Sequence, residues 1–272
     1  MNDKLLAKQQ KILAKIQEFT LMDDDFMTVF FDDDIPCTEY ILRIIMENDS
    51  LCVKSVKTQY SIKNLKGRSV RLDVRATDSS NKVYDIEIQN ADDGTSARRA
   101  RYNSSLMDAD ETVQGMKTEA LPETFAIFIT EHDVLGGGLP LYHIDRKITE
   151  LGNKSFNDGS HIIYVNGTYR GADPIGDLMH DFSCKKADEM KSSVLSEKAK
   201  RLKEDTKGVQ KMCRIMKDLI DEERAESITE TKIETASKLL EQRKMSEAEI
   251  ATFFNFTDEQ MRLVKEQVAA FA

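Results

Sequence analysis

An aspartate in "RLDVRA", Asp73, and an acid and an amide in "YDIEIQ", Glu87 and Gln89, are the residues whose types and spacing could do chemistry. In an extended strand alternate side chains share a face, so Asp85, Glu87 and Gln89 point one way while Ile86 and Ile88 point the other. On the preceding segment Arg71, Asp73 and Arg75 share a face opposite Leu72 and Val74. Pairing the two segments as a hairpin around "TDSSNK" brings Asp73 close to Glu87. Two carboxylates held that close repel unless a proton or a cation lies between them. A hard divalent ion with oxygen ligands meets this need, and Mg²⁺ accepts few carboxylates and keeps its waters. Such an ion can activate water and stabilise charge on a phosphodiester during displacement. A half-exposed antiparallel hairpin with no site shows the same alternation, so spacing leaves both readings open.

The surrounding elements must hold these strands. Residues 1–20 read as an amphipathic helix, with Leu5, Leu6, Ile12, Leu13 and Ile16 as its stripe. "DDDFMTVFFDDDIPCTEYILRIIMEN" gives an Asp-rich turn, a short apolar element, a second turn at Asp32–Pro36 and a helix from about Thr38. "VKSVKTQYSI", "SVRLDVRAT" and "KVYDIEIQN" follow as strands separated by turn formers, and "TSARRARYNSSLMDAD" reads as a helix. "PETFAIFITEHD" is an apolar run expected to be a strand buried on both faces. After the "LGGGLP" turn come "LYHIDR" and "SHIIYVNGT". This order predicts an α/β domain over about residues 21–180 around a mixed sheet. Residues 181–272 read as an all-helical region, in which Ser246 with Glu249 and Thr257 with Gln260 fit the capping box. A helix-turn-helix-like end and a dimerisation tail both fit that pattern.

Composition narrows the classes. Of the 272 residues 40% are apolar and 32% charged, enough for a real core, and the formal charge is −9. That total argues against indiscriminate coating of nucleic acid. Positive charge is nevertheless local: Lys54, Lys57, Lys63, Lys66, Arg68, Arg71 and Arg75 face the single acid Asp73 between Leu51 and Thr77, and Arg98, Arg99 and Arg101 follow. Four cysteines, at 37, 52, 184 and 213, are too widely spaced for a zinc knuckle or a redox pair and read as reduced core thiols of a cytoplasmic protein. The N-terminal segment is too charged for a signal peptide, and no apolar run would span a membrane. His132, His143, His161 and His180 lack metal-ligand spacing, and the Gly-rich turn lacks a phosphate-loop signature.

The blocks "DDDFMTVFF", "CTEYILRII", "YSIKNLKGRSVRLDVRATDSSNKVYDIEIQNAD", "SARRARYNSSLMDAD", "FAIFITEHDVLGGGLPLYHIDR" and "FNDGSHIIYVNGTYRG", over about residues 20–180, together resemble the PD-(D/E)XK nuclease superfamily. The resemblance is to its transposase-associated branch, the recombination-promoting nuclease and putative transposase proteins, whose usual helical tail "KLLEQRKMSEAEIATFFNFTDEQMRLV" also resembles. It implies an α/β fold with a restriction-endonuclease-like αβββαβ core, an all-helical C-terminal tail, and Mg²⁺-dependent cleavage of DNA, with Mn²⁺ as a substitute ion. Carried over by position, Asp73 and Glu87 would be the metal ligands, and Gln89 stands where the superfamily has lysine. A neutral amide can hydrogen-bond to water or phosphate but cannot offset charge. Glu39 on "CTEYILRII" is the candidate for an added acid from the first helix, with Asp25 behind it, and Arg98, Arg101 and Tyr102 match the basic helix that would touch phosphate. A homodimer through the C-terminal helices is expected, and no membrane partner. The competing expectation is a non-catalytic interaction protein that retains the nuclease fold as a scaffold.

Overall fold

The structure, a computed structural model, describes residues 12–63, 69–90, 95–242 and 244–271. It divides into two compact units, Met1–Cys213 and Arg214–Ala272. Leu5, Leu6, Lys66 and Arg68 lie outside the described residues.

The first element among the described residues is helix α1 at residues 12–18, on which Ile16 is fully buried. The Asp23 carboxylate then closes a turn by accepting from the Thr20 amide and hydroxyl. The apolar run that follows is helix α2, Asp24–Phe31, burying Phe26, Met27, Val29, Phe30 and Phe31. Helix α3 spans Ile35–Ile45 and so starts before Thr38, inside the segment expected as a turn. The reason is local: Asp34 caps it, its carboxylate accepting from the Cys37 amide at 2.9 Å, and Pro36 sits in the first turn, where a missing N–H costs nothing.

Strands β1 (Val53–Ile62), β2 (Val70–Asp78) and β3 (Val83–Gln89) form an antiparallel meander. Its second turn is organised by Asp78, whose carboxylate accepts from the Ser80 and Lys82 amides and the Tyr84 hydroxyl. Helix α4, Ala97–Glu111, crosses back to β4 (Thr124–Thr130), which pairs parallel to β3 and is buried along its whole length. Strands β5 (Leu141–Ile144) and β8 (Ser160–Asn166) complete a six-stranded mixed sheet in the order β1-β2-β3-β4-β8-β5, while β6 (Lys147–Ile148) and β7 (Lys154–Ser155) pair separately. The run α3-β1-β2-β3-α4-β4 is the expected αβββαβ core.

Helix α4 lays Ala100, Leu106 and Met107 on Leu72, Val83, Ala126, Phe128 and Tyr164. Helices α2 and α3 cover β1, joined by α5 (Pro174–Ser183) and α6 (Ser193–Lys203), which pack on α3. Full burial of side chains such as Phe30, Leu42 and Phe182 contributes about 1.5–3 kcal/mol each. Both faces of the central strands are thereby dry, and β3 is buried from Val83 to Ile88.

Helix α7 spans Thr206–Glu241. The second unit gathers Ala236 on α7, Ile250 on α8 (Glu247–Phe254) and Val264 on α9 (Asp258–Phe271) into a small core. Both capping boxes form: Ser246 with Glu249, and Thr257 with Gln260. Among the described residues no helix is long and apolar enough to cross a membrane.

Candidate active site

The β2–β3 ladder runs in register from Thr77↔Val83 to Val74↔Ile86 and stops there. Asp73 and Glu87 are the next residues on each strand. Where the backbone pairing ends, the Asp73 side chain takes over, its Oδ2 accepting from the Ile88 amide at 3.0 Å. The divergence of two strands therefore sets the position of the first acid. The second acid is set by burial: Glu87 and Asp85, on the central strand, are fully inaccessible. The half-exposed hairpin allowed by the alternation is thus not what forms, because α4 and the neighbouring strand β4 enclose β3.

Burying two acids beside a third that is half-buried is costly unless something compensates. Burial, then the neighbouring charge of Glu87, pushes Asp73 up to about 8. Asp85 rises well above the usual carboxylate range through burial and then the charges of Glu87 and Asp73. Glu87 is raised by burial and partly restored by Arg99. Both oxygens of Asp85 and Oε1 of Glu87 have no hydrogen-bond partner. The Asn103 amide on α4 offsets part of the Asp85 shift without reaching a sound hydrogen-bond geometry.

A cleft of about 1060 Å³ opens above this group, and Asp73, Gln89, Arg99 and Tyr102 line it. Lys15 on α1 and Arg71 on β2 add positive charge, while Asp23, Asp24 and Asp25 form an acidic rim. Glu87 lies beneath the surface, where its Oε2 accepts from Arg99 Nη2 at 3.0 Å and, more weakly, from Gln89 Nε2 at 3.4 Å. Ser96 caps α4 by accepting the Arg99 amide, which fixes Arg99 in the first turn, at the positive end of the helix.

The structure brings Asp73, Glu87, Gln89 and Tyr102 together. It does not bring Glu39 to them: that carboxylate accepts from the Val53 amide at 2.8 Å and pairs with Arg43 at 2.6 Å, tying α3 to the start of β1. The acid that bears on both Asp73 and Glu87 is Asp24, at the first turn of α2, and Asp25 lines the same cleft. Arg98 is exposed, and Arg101 lines a separate recess with Ile144 and Tyr164. Arg99 and Asp24 were both visible in the sequence as members of charged runs. Only the helix phase set by Ser96, and the folding of α2 onto β2, single them out.

An all-oxygen set with excess negative charge and unfilled oxygens suits a hard divalent cation. Among the described residues the one trio offering a ligand atom each within 4.8 Å is His180, Asp181 and Cys184, so the three acids of β2 and β3 are not drawn that tightly together. The histidine trio is structural. His180 lies on α5, both Asp181 oxygens accept backbone amides of Lys191 and Ser192, and burial pushes the Cys184 thiol up to about 11.

Residues 42–167 match the family model described as PD-(D/E)XK nuclease family transposase. The matched segment runs from α3 through β8 and contains Asp73, Glu87, Gln89 and Arg99. The family carries a nuclease- or transposition-related role, and the fold agrees with it. Comparison with curated proteins and with solved structures returned no match.

Proposed function

We propose that this protein is a Mg²⁺-dependent DNA endonuclease that acts in transposition or recombination. The observation that carries the reading is the half-buried Asp73 in the wall of a cleft lined also by Lys15, Arg71 and Arg99, beside the buried Asp85 and Glu87, whose oxygens are in part unfilled. The match of residues 42–167 to a nuclease family supports it. Asp73 and Glu87 would hold the ion, which supplies an activated water and charge stabilisation at the phosphodiester when bound. Asp24 adds negative charge from the cleft rim. Gln89, whose amide can donate and accept, orients water or a phosphate oxygen by hydrogen bonding. Lys15 and Arg71 neutralise phosphates of the entering strand, and the exposed Arg98 and Arg101 reach phosphates further along it. Tyr102 borders the cleft where a sugar or base would rest. The four cysteines are free thiols, in keeping with a reducing compartment such as the cytoplasm, but only Cys37 and Cys184 lie in the core, for Cys52 is exposed and Cys213 half-buried.

The test is nicking of supercoiled plasmid by the purified full chain with Mg²⁺, Mn²⁺ or EDTA. The parent should nick only with metal, and Asp73→Ala and Glu87→Gln should lose at least about 100-fold. A parent without activity in either metal, or an Asp73→Ala variant as fast as the parent, rules the reading out in favour of a scaffold.

A further inference from the structure

We propose that Arg99 is a placeholder cation, which sits on Glu87 while the site is metal-free and moves to the phosphate under attack once a divalent ion takes that carboxylate. This rests on the nuclease reading above and adds a residue and an exchange to it.

Three observations lead there. Glu87 is wholly buried, yet the two groups bonded to its Oε2, Arg99 and Gln89, both line the cleft, so the route from the cleft to this carboxylate passes them. The Arg99 side chain keeps 39% of its surface exposed although its guanidinium is hydrogen-bonded to an inaccessible acid. The side chain therefore extends from cleft to core. The contact is made by one nitrogen, Nη2, rather than by the two-point fork that makes arginine–carboxylate pairs strong. The single-point contact forgoes the fork geometry, and an ion of twice the charge with an unfilled Oε1 to bind competes for the same carboxylate.

The anchor supports the motion. Ser96 holds the first turn of α4 through the Arg99 amide, so the side chain can swing while its backbone stays fixed. The released guanidinium would stay within the cleft beside Arg71 and Tyr102. Its planar donors suit phosphate oxygens, and negative charge grows on those oxygens in the transition state. Gln89 is neutral, so Arg99 is the cation bonded to Glu87 that can respond to this charge.

The experiment measures Mn²⁺ affinity by electron paramagnetic resonance alongside plasmid nicking, on the full-length parent, Arg99→Gln and Arg99→Lys. Removing the competitor should tighten Mn²⁺ binding in Arg99→Gln by about fivefold, while nicking falls at least about 100-fold. Arg99→Lys, which keeps the charge, should bind Mn²⁺ like the parent and retain about a tenth of its nicking. Unchanged or weaker Mn²⁺ binding in Arg99→Gln overturns the exchange, and parental nicking in that variant overturns the phosphate role. A parent that fails to bind Mn²⁺ defeats the nuclease reading and the exchange together, whereas a parent that binds and nicks beside an indifferent Arg99→Gln defeats the exchange alone.

Discussion

Asp73 accepts the Ile88 amide at 3.0 Å one residue past the last rung of the β2–β3 ladder, so its side chain does the work of a backbone carbonyl. The same carboxylate is half-buried and sits beside the charge of Glu87. One atom group therefore helps the fold as an acceptor and strains it as an anion. Asparagine keeps an acceptor oxygen and removes the charge. Asp73→Asn should raise metal-free stability at pH 8 by about 1–3 kcal/mol, which is a Tm increase of roughly 2–12 °C for a chain of this size. It should also abolish any rise in Tm on adding Mg²⁺. A melting curve with EDTA and with Mg²⁺ checks both, and a lowered EDTA Tm with an intact Mg²⁺ response would count against Asp73 as an ion ligand.

The pH dependence follows in sign. Asp73 moves from an ordinary value of 3.8 to about 8 in the folded protein, so the native state binds this proton more tightly than the unfolded chain. Its contribution is complete below about pH 4 and is lost as pH rises through about 8. Because the acids of this group titrate together, the slope belongs to all of them. Without metal, Tm should fall between pH 5 and pH 8, and the increment produced by Mg²⁺ should grow over the same interval. Asp73→Asn should flatten the fall. Fluorimetric melts across that range decide it: a metal-free Tm that climbs with pH in the parent and runs parallel in Asp73→Asn contradicts the assignment.

Glu39 and Asp24 part company in the same assay. Glu39 links the Val53 amide and Arg43, a structural task on α3. Glu39→Gln should cost about 1 kcal/mol of stability and leave nicking within twofold of the parent. Asp24 lines the cleft and adds its charge to that acting on Asp73 and Glu87. Asp24→Asn should weaken Mn²⁺ binding by about threefold to tenfold with little change in metal-free Tm. If Glu39→Gln nicks 100-fold more slowly while folded, the two roles are exchanged.

The sequence made the strands and their acids legible because period-two alternation is local, and Asp73, Glu87 and Gln89 do converge. Pro36 drew attention to a turn, whereas Asp34 beside it is a cap, and the two are hard to separate from a string of residues. Burial of Asp85 and Glu87 was not legible, since alternation reads the same whether the polar face meets water or a covering helix. Arg99 was lost among three arginines because its direction depends on where α4 begins, and Ser96 fixes that. Asp24 required the packing of α2 on β2, a contact between residues about fifty apart in the chain.

Asp78 shows what a structural acid on the same strand does. Its carboxylate gathers the Ser80 and Lys82 amides at 2.8 and 2.9 Å and the Tyr84 hydroxyl at 3.0 Å, closing the turn between β2 and β3. Tyr84 is itself buried and stacked on Phe125, so losing the acceptor strands a hydroxyl in the core and leaves two turn amides without this acceptor. Hydrogen bonds to a charged group contribute about 1.5–3 kcal/mol each and do not add fully. Asp78→Ala should therefore cost about 2–4 kcal/mol, or roughly 4–16 °C in Tm. Register is set by pairing that remains from Arg75↔Asp85 to Val74↔Ile86, so the acids keep their places. Nicking measured well below the lowered Tm should stay within about threefold of the parent, and Mn²⁺ affinity should not change. A folded Asp78→Ala protein that has lost Mn²⁺ binding would mean that the hairpin turn, and not the burial of β3, positions the site.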